Sequence, residues 1–274
     1  MKQTIKLVAM DIDGTLLGKS KKLTKYTREI LKQAGNQGIH LVIASGRALK
    51  AIPEMLLNIE GMEYVITSNG SSVFRLSDQK RIYGKDLDKK QIQSLLTFYK
   101  MWKCPMEVFI EGEAYASLEY YQHPEDYGAS EAGVEYVHTT RTPVDDLIQF
   151  VEMNQNRIEG VNYIVDDPQL KKMMRETLES VENLYVTSSV PRYIEVSHGS
   201  VCKRNAIDWL AKYLHIYKEE IAAFGDGEND LEMIEYAGYG VAMGNAVDLL
   251  KKASDRVAPS VDDDGVAQVL KEFF

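Results

Sequence analysis

Asp11 and Asp13, in the run Asp11-Ile12-Asp13-Gly14-Thr15, stand two residues apart where the apolar segment Ile5 to Met10 ends. On an extended backbone, side chains two positions apart point to the same side, so both carboxylates are expected to face one way. Two like charges held close need a cation, or one of them must take up a proton. An oxygen-lined pocket of this kind suits Mg²⁺, a hard ion usually held by a few carboxylates with water and substrate phosphate. Gly14 lets the chain turn sharply beneath the pair. Asp and Gly are also common in ordinary turns after strands, so the segment alone leaves both readings open.

Three further segments carry similar chemistry. Ser45 and Gly46, in Ala44-Ser45-Gly46-Arg47, offer a hydroxyl and backbone N–H groups at a helix start, a natural seat for a phosphoryl oxygen, although a plain Ser N-cap fits as well. Gly225-Asp226-Gly227-Glu228-Asn229-Asp230 supplies more acid than a fold needs; a carboxylate there can complete a metal shell, while Asp230 can simply cap a helix. Lys203 opens an amphipathic helix, where the dipole favours an acidic residue, and a cation there makes sense if an anion lies in front of it.

The elements expected to position these residues follow one grammar at both ends of the chain. Strand Ile5 to Met10, helix Thr24 to Gly38, strand Ile39 to Ala44, a helix around Ala48 to Asn58 interrupted by Pro53, and strand Tyr64 to Thr67 read as βαβαβ, the pattern of a parallel sheet covered by helices. It resumes with helix Cys202 to Leu214, strand Ile221 to Phe224, helix Leu231 to Ala237, strand Gly240 to Met243 and helices Ala246 to Lys252 and Gly265 to Phe274. Ligands bind such sheets at the carboxyl ends of the strands, where all four segments fall. Between them, short alternating runs mixed with helices at Lys89 to Trp102, Val144 to Met153 and Gln169 to Val181 read as an α+β insertion with an antiparallel sheet. The fold class is therefore α/β: a Rossmann-like, doubly wound parallel core over residues 1–82 and 196–274, with an inserted α+β cap domain over 83–195.

A chain of 274 residues is comfortable for two cores, and 45% hydrophobic with 27% charged residues suits a globular protein. A net charge of -9 argues against nucleic acid, whose backbone demands a clustered basic surface; the basic stretch Lys19 to Lys22 reads as solvated loop. The apolar run near the start spans about six residues, too short for a signal peptide or a membrane span, so a cytoplasmic protein is expected. Cys104 and Cys202 lie far apart and suggest neither a disulfide framework nor zinc. No protein partner is implied.

The ordered set DIDGT, ASGR, a helix-opening Lys203 and GDGEND resembles the haloacid dehalogenase superfamily, and the insertion is similar to the large cap of its Cof-type phosphatases. The resemblance implies a phosphomonoesterase acting on a small phosphorylated metabolite through an aspartyl-phosphate. Asp11 would be the nucleophile and Asp13 the general acid and then base. Asp11, the backbone carbonyl of Asp13 and Asp226 would bind Mg²⁺. The Ile12 backbone, Ser45, Gly46, Lys203 and Asn229 would hold the phosphoryl group, and Asp230 would support them from behind. Two departures stand out: Arg204 where the family usually has Gly, and no Pro in Val196-Ser197-His198-Gly199 upstream. Competing readings are a phosphomutase sharing the phosphoenzyme and a non-catalytic sensor of phosphorylated metabolites.

Overall fold

The computed structural model describes residues 4–274; residues 1–3, where the expected first domain begins, lie outside the described residues. The chain divides into two compact units, one holding the chain up to Gly46, Ile52–Tyr83 and Cys202–Phe274, the other holding Arg47–Ala51 and Gly84–Val201. The first contributes β1 (Leu7–Met10), β2 (His40–Ala44), β3 (Met62–Thr67), β4 (Ser72–Arg75) and β5 (Lys80–Gly84). The second contributes β6 (Met106–Ile110), β7 (Glu113–Ser117), β8 (Arg141–Val144), β9 (Ile158–Ile164), β10 (Leu184–Thr187) and β11 (Tyr193–His198). The chain then returns to the first sheet with β12 (Ile221–Gly225), β13 (Tyr239–Ala242) and β14 (Arg256–Val257).

The first sheet has the order β14-β13-β12-β1-β2-β3-β4-β5. From β14 to β3 every neighbouring pair is parallel. β1 and β12 are buried along their whole length, which is why each reads as an unbroken apolar run rather than an alternation. Chain order reverses between β1 and β12, so the topological switch point of this Rossmann-like, doubly wound sheet lies between the ends of those two strands. The helix Lys25–Asn36, N-capped by Thr24 accepting from Thr27 N–H at 3.0 Å, buries Thr27, Ile30, Leu31 and Ala34 and packs with the helix Gly265–Leu270. The helix Lys203–Tyr213 packs with Leu231–Tyr236.

Two differences from the sequence reading have simple causes. The helix expected around Ala48 to Asn58 is a 3₁₀ turn at Leu49–Ala51 and a separate short helix at Glu54–Leu57, because Pro53 cannot continue a helical hydrogen-bond ladder. Two further strands, β4 antiparallel to β3 and then β5, extend the sheet beyond β3; β5 is half exposed and carries no apolar run that would announce it.

The second unit is built on a six-stranded sheet of order β10-β11-β9-β6-β7-β8, antiparallel except for the parallel pair β7 and β8. Alternation sorts its side chains. Met106, Val108, Ile110, Val161, Tyr163, Ile194 and Val196 form the core with residues such as Leu95, Val151 and Met174 from the helices Lys89–Trp102, Leu147–Asn154 and Pro168–Glu179. The first of these helices starts where expected because Asp88 and Gln91 form a reciprocal capping box.

The residues between those core positions are also buried, yet polar: Glu107, Asn162, Glu195, Ser197 and Arg141. Arg141 forks onto Glu107 with Nε to Oε1 at 2.9 Å and Nη2 to Oε2 at 2.8 Å, and its guanidinium lies over the Tyr136 ring. Removing one partner from such a pair leaves a buried, uncompensated charge, which costs about 3–5 kcal/mol, whereas replacing both is far cheaper. Arg141→Leu is therefore expected to lower the midpoint of thermal unfolding sharply, and Glu107→Leu/Arg141→Leu to recover most of that loss; circular dichroism melts of the three proteins check the order.

Candidate active site at the switch point of the parallel sheet

β1 ends at Met10, before either carboxylate of the first motif, so strand alternation does not set the direction of both. Asp11 continues the sheet for one more bond, its N–H donating to Phe224 O at 3.0 Å. The chain then turns, with Leu16 and Leu17 N–H both donating to Ile12 O. Asp11 is buried and Asp13 exposed, and the two carboxylates meet different partners. Asp13 accepts from Lys21 Nζ at 2.5 Å, so one lysine of the basic loop reaches the motif, in an exposed pair of small energetic worth.

Lys203 is the centre of the buried group. Its ammonium, with no exposed surface, donates to Asp11 Oδ1 at 2.6 Å and to Asp230 Oδ1 at 2.7 Å. The other oxygen of Asp230 accepts from the N–H groups of Asp226 and Gly227, each at 2.9 Å, which fixes the turn that follows β12. Asp226 accepts in turn from Thr15 Oγ1 at 3.0 Å. Gly14 has φ of +92°, and a Cβ there would fall 2.1 Å from Asp226 Oδ2, so only glycine permits this approach of the two loops.

Asp11, Asp226 and Asp230 each place a carboxylate oxygen within 4.8 Å of the others. Three carboxylates against one ammonium leave two negative charges uncompensated if all are ionised. Burial pushes the Asp11 carboxyl well above the ordinary range, and Asp230, Asp226 and Asp13 add to this against the pull of Lys203. Burial raises Asp226 to about 7, reinforced by Asp230. Burial alone would discharge Lys203, but Asp11 and Asp230 hold its pKa above the ordinary lysine value. An all-oxygen donor set short of positive charge, with a glycine cradle against Asp226, fits a hard divalent cation.

Two of the remaining expected site residues, Ser45 and Asn229, meet at a residue the sequence reading did not single out. Ser45, buried at the end of β2, donates its N–H to Ile66 O at 2.9 Å and accepts from Asn69 N–H at 3.0 Å. Asn69 Oδ1 accepts from Asn229 Nδ2 at 2.9 Å. Gly46 follows Ser45 within the same unit. Thr15, Asn69, Lys21 and Asn245, whose Nδ2 donates to Gly14 O at 2.8 Å, were all missed. Of these only Asn69 carried a signal, the Asn-Gly pair at a strand end that marks left-handed backbone. Arg204 is exposed and lies over the Tyr236 ring, 5.4 Å from its centroid.

A family model of haloacid dehalogenase-like hydrolases matches residues 8–270. The chain belongs to that family. A phosphatase of Bacillus subtilis (strain 168) is 29% identical over 292 residues, spanning 97% of this chain and 99% of the relative. A 5-amino-6-(5-phospho-D-ribitylamino)uracil phosphatase of the same organism is 28% identical over 269 residues, spanning 98% and 96%. Among solved structures, a haloacid dehalogenase-like hydrolase from B. subtilis matches with a TM-score of 0.85 at 28% identity, over 98% of this chain and 100% of that one. Among the described residues of this haloacid dehalogenase-like hydrolase, no helix is long and apolar enough to cross a membrane.

The raised carboxyl at Asp226 makes the stability of this hydrolase depend on pH. The folded chain keeps that proton up to about pH 7, whereas the unfolded chain loses it near 3.8. The contribution is thus fully present below the unfolded value and lost as pH rises through the folded one, at roughly 1.4 kcal/mol per unit of separation. In a chelator, Asp226→Asn is expected to melt above the wild type at pH 8 and to show a flatter decline between pH 4 and 7; adding Mg²⁺ raises the wild type alone. Melting curves across that range decide it, and identical slopes for the two proteins would refute the assignment.

Proposed function

We propose that this hydrolase is a phosphatase that cleaves phosphate monoesters of small metabolites through a covalent aspartyl-phosphate on Asp11. The observation that carries this reading is the buried triad in which Lys203 holds Asp11 at 2.6 Å and Asp230 at 2.7 Å, at the switch point of the sheet, beside Asp226. A sensor of phosphorylated metabolites would need the cation but not a carboxylate gripped and oriented in this way.

In the proposed reaction Asp11 attacks phosphorus in line with the departing alcohol, and Asp13 protonates that alcohol, then takes a proton from the water that opens the phosphoenzyme. The position of Asp13 suits the second role, because it is the more solvent-exposed of the two acids. Lys203, the hydroxyl of Ser45, the backbone at Ile12 and Gly46, and the carboxamide of Asn229 hold the phosphoryl oxygens, whose charge in the transition state calls mainly for fixed donors. Asp11, the backbone carbonyl of Asp13 and Asp226 are the residues that would hold Mg²⁺, and Asp230 keeps Lys203 and the Asp226 turn in register. When bound, the cation would neutralise charge on the phosphoryl group. We assign substrate selection to the second unit, the inserted region read from the sequence as residues 83–195. Both cysteines are buried and unpaired, in keeping with a cytoplasmic setting.

Asp11→Asn keeps the shape of the side chain and removes the nucleophile, so magnesium-dependent release of phosphate from p-nitrophenyl phosphate is expected to vanish while the protein stays folded. A variant retaining a tenth of the activity would refute covalent catalysis by Asp11.

Asp13→Asn separates leaving groups. p-Nitrophenolate departs without a proton and an alkoxide does not, so phosphoenzyme formation is expected to survive with the aryl ester and to fall about 100- to 10,000-fold with an alkyl phosphate. Rapid mixing with the aryl ester should then show a burst approaching one nitrophenolate per site, followed by slow turnover. Equal losses with both esters and no burst would remove Asp13 from proton transfer.

A further inference from the structure

The turn after β3 holds three consecutive residues in left-handed backbone: Ser68 at φ 49°, Asn69 at 56° and Gly70 at 107°. For residues with a side chain this conformation costs roughly 1–2 kcal/mol each, and it persists only where the surroundings over-determine it. Here they do. Gly70 lies so close to the opening of the helix Lys203–Tyr213 that a Cβ would stand 2.3 Å from Cys202 O and 3.1 Å from Lys203 N. Asn69 N–H donates to Ser45 O, and the Asn69 side chain, 6% exposed, accepts from Asn229, itself 4% exposed. One turn thus touches the Ser45 segment, the start of the Lys203 helix and Asn229, which belong to three separate stretches of sequence.

We infer that Asn69 is a positioning residue for phosphoryl recognition, acting through Asn229. A carboxamide has two N–H donors and one acceptor, and either face can be turned toward a ligand. Because Asn69 Oδ1 takes one N–H of Asn229 Nδ2, the amide is locked with its nitrogen toward Asn69, and the second N–H is left to donate to a phosphoryl oxygen. Without Asn69 the amide turns freely and presents its carbonyl oxygen, a repulsive neighbour for an anion, part of the time. The left-handed backbone of Asn69 is the condition for this contact, since it brings the side chain across to Asn229 while the main chain remains tied to Ser45. The inference rests on the proposal that Asn229 contacts the phosphoryl group.

The test is a double-mutant cycle read by competitive inhibition with inorganic phosphate, with p-nitrophenyl phosphate as the reporter substrate. Asn69→Gly is the informative variant because glycine takes this backbone without strain and removes the side chain that accepts from Asn229. Asn229→Ala is expected to weaken phosphate inhibition about tenfold and Asn69→Gly by a comparable factor, the order of one hydrogen bond. The double variant is expected to be no weaker than Asn229→Ala alone, because Asn69 has nothing left to orient. Independent effects that multiply in the double variant, or unchanged inhibition in Asn69→Gly, overturn the inference while leaving the phosphatase reading intact. Unchanged inhibition in Asn229→Ala overturns it from the other side and takes Asn229 out of the phosphoryl site. If Asn69→Gly does not fold, Asn69→Ala, which keeps the Cβ and removes the carboxamide that accepts from Asn229, replaces it in the cycle, and non-additivity with Asn229→Ala remains the criterion.

Discussion

The site depends on one buried ammonium. Lys203 has no exposed surface, and a charge in that position is tolerable only if its partners surround it at hydrogen-bond distance. Asp11 and Asp230 provide this, and each is held by something else: Asp11 by the sheet bond to Phe224, Asp230 by the N–H groups of Asp226 and Gly227. The ends of β1 and β12 and the start of the Lys203 helix are thereby fixed relative to one another through a single nitrogen atom. The position of Asp226 follows, because the backbone bonds that satisfy Asp230 also shape its turn. An acidic chain with a net charge of -9 has in this way placed one desolvated positive charge where an anionic substrate would need it.

What could be read from the sequence was what local chemistry determines. Strands such as Ile221–Gly225 are buried on both faces and leave continuous apolar runs, and the Lys89–Trp102 helix announces its start by a capping box. The four motif segments were legible because each sits at a strand or helix end, where polar residues interrupt an apolar pattern. Strands β4 and β5, the two-residue strand β14 and the helix Glu131–Thr140, which buries only Val137, were not legible, since short or half-exposed elements bury too little to impose a pattern. Within the site, contacts such as Asn69 with Asn229, or Asn245 with Gly14, join residues 160 and 231 positions apart, and no local rule encodes them.

The polar face of the second unit follows a different economy from the site around Lys203. Its buried ion pair, Arg141 with Glu107, is bidentate and self-contained, each charge meeting its opposite. At the switch point three carboxylates share one ammonium, and the imbalance appears as raised carboxyl groups at Asp11 and Asp226. Buried charge therefore serves two ends in one chain: a closed pair that specifies packing, and an open set that is short of a cation.

The order of strands in the first sheet also bears on how the chain is made. β1 lies between β2, which follows it closely, and β12, which lies more than two hundred residues downstream; Thr15 and Asp226, in the turns that follow those strands, are 211 positions apart. At synthesis rates of about 5–20 residues per second, β1 emerges on the order of ten to forty seconds before its second neighbour exists. For that time one of its edges has no native partner, and the apolar residues Leu7 to Met10 have no complete layer to enter. The long insertion thus exacts a delay during translation, in which a nascent chain of this topology offers an unpaired parallel strand to any binder of extended apolar peptide.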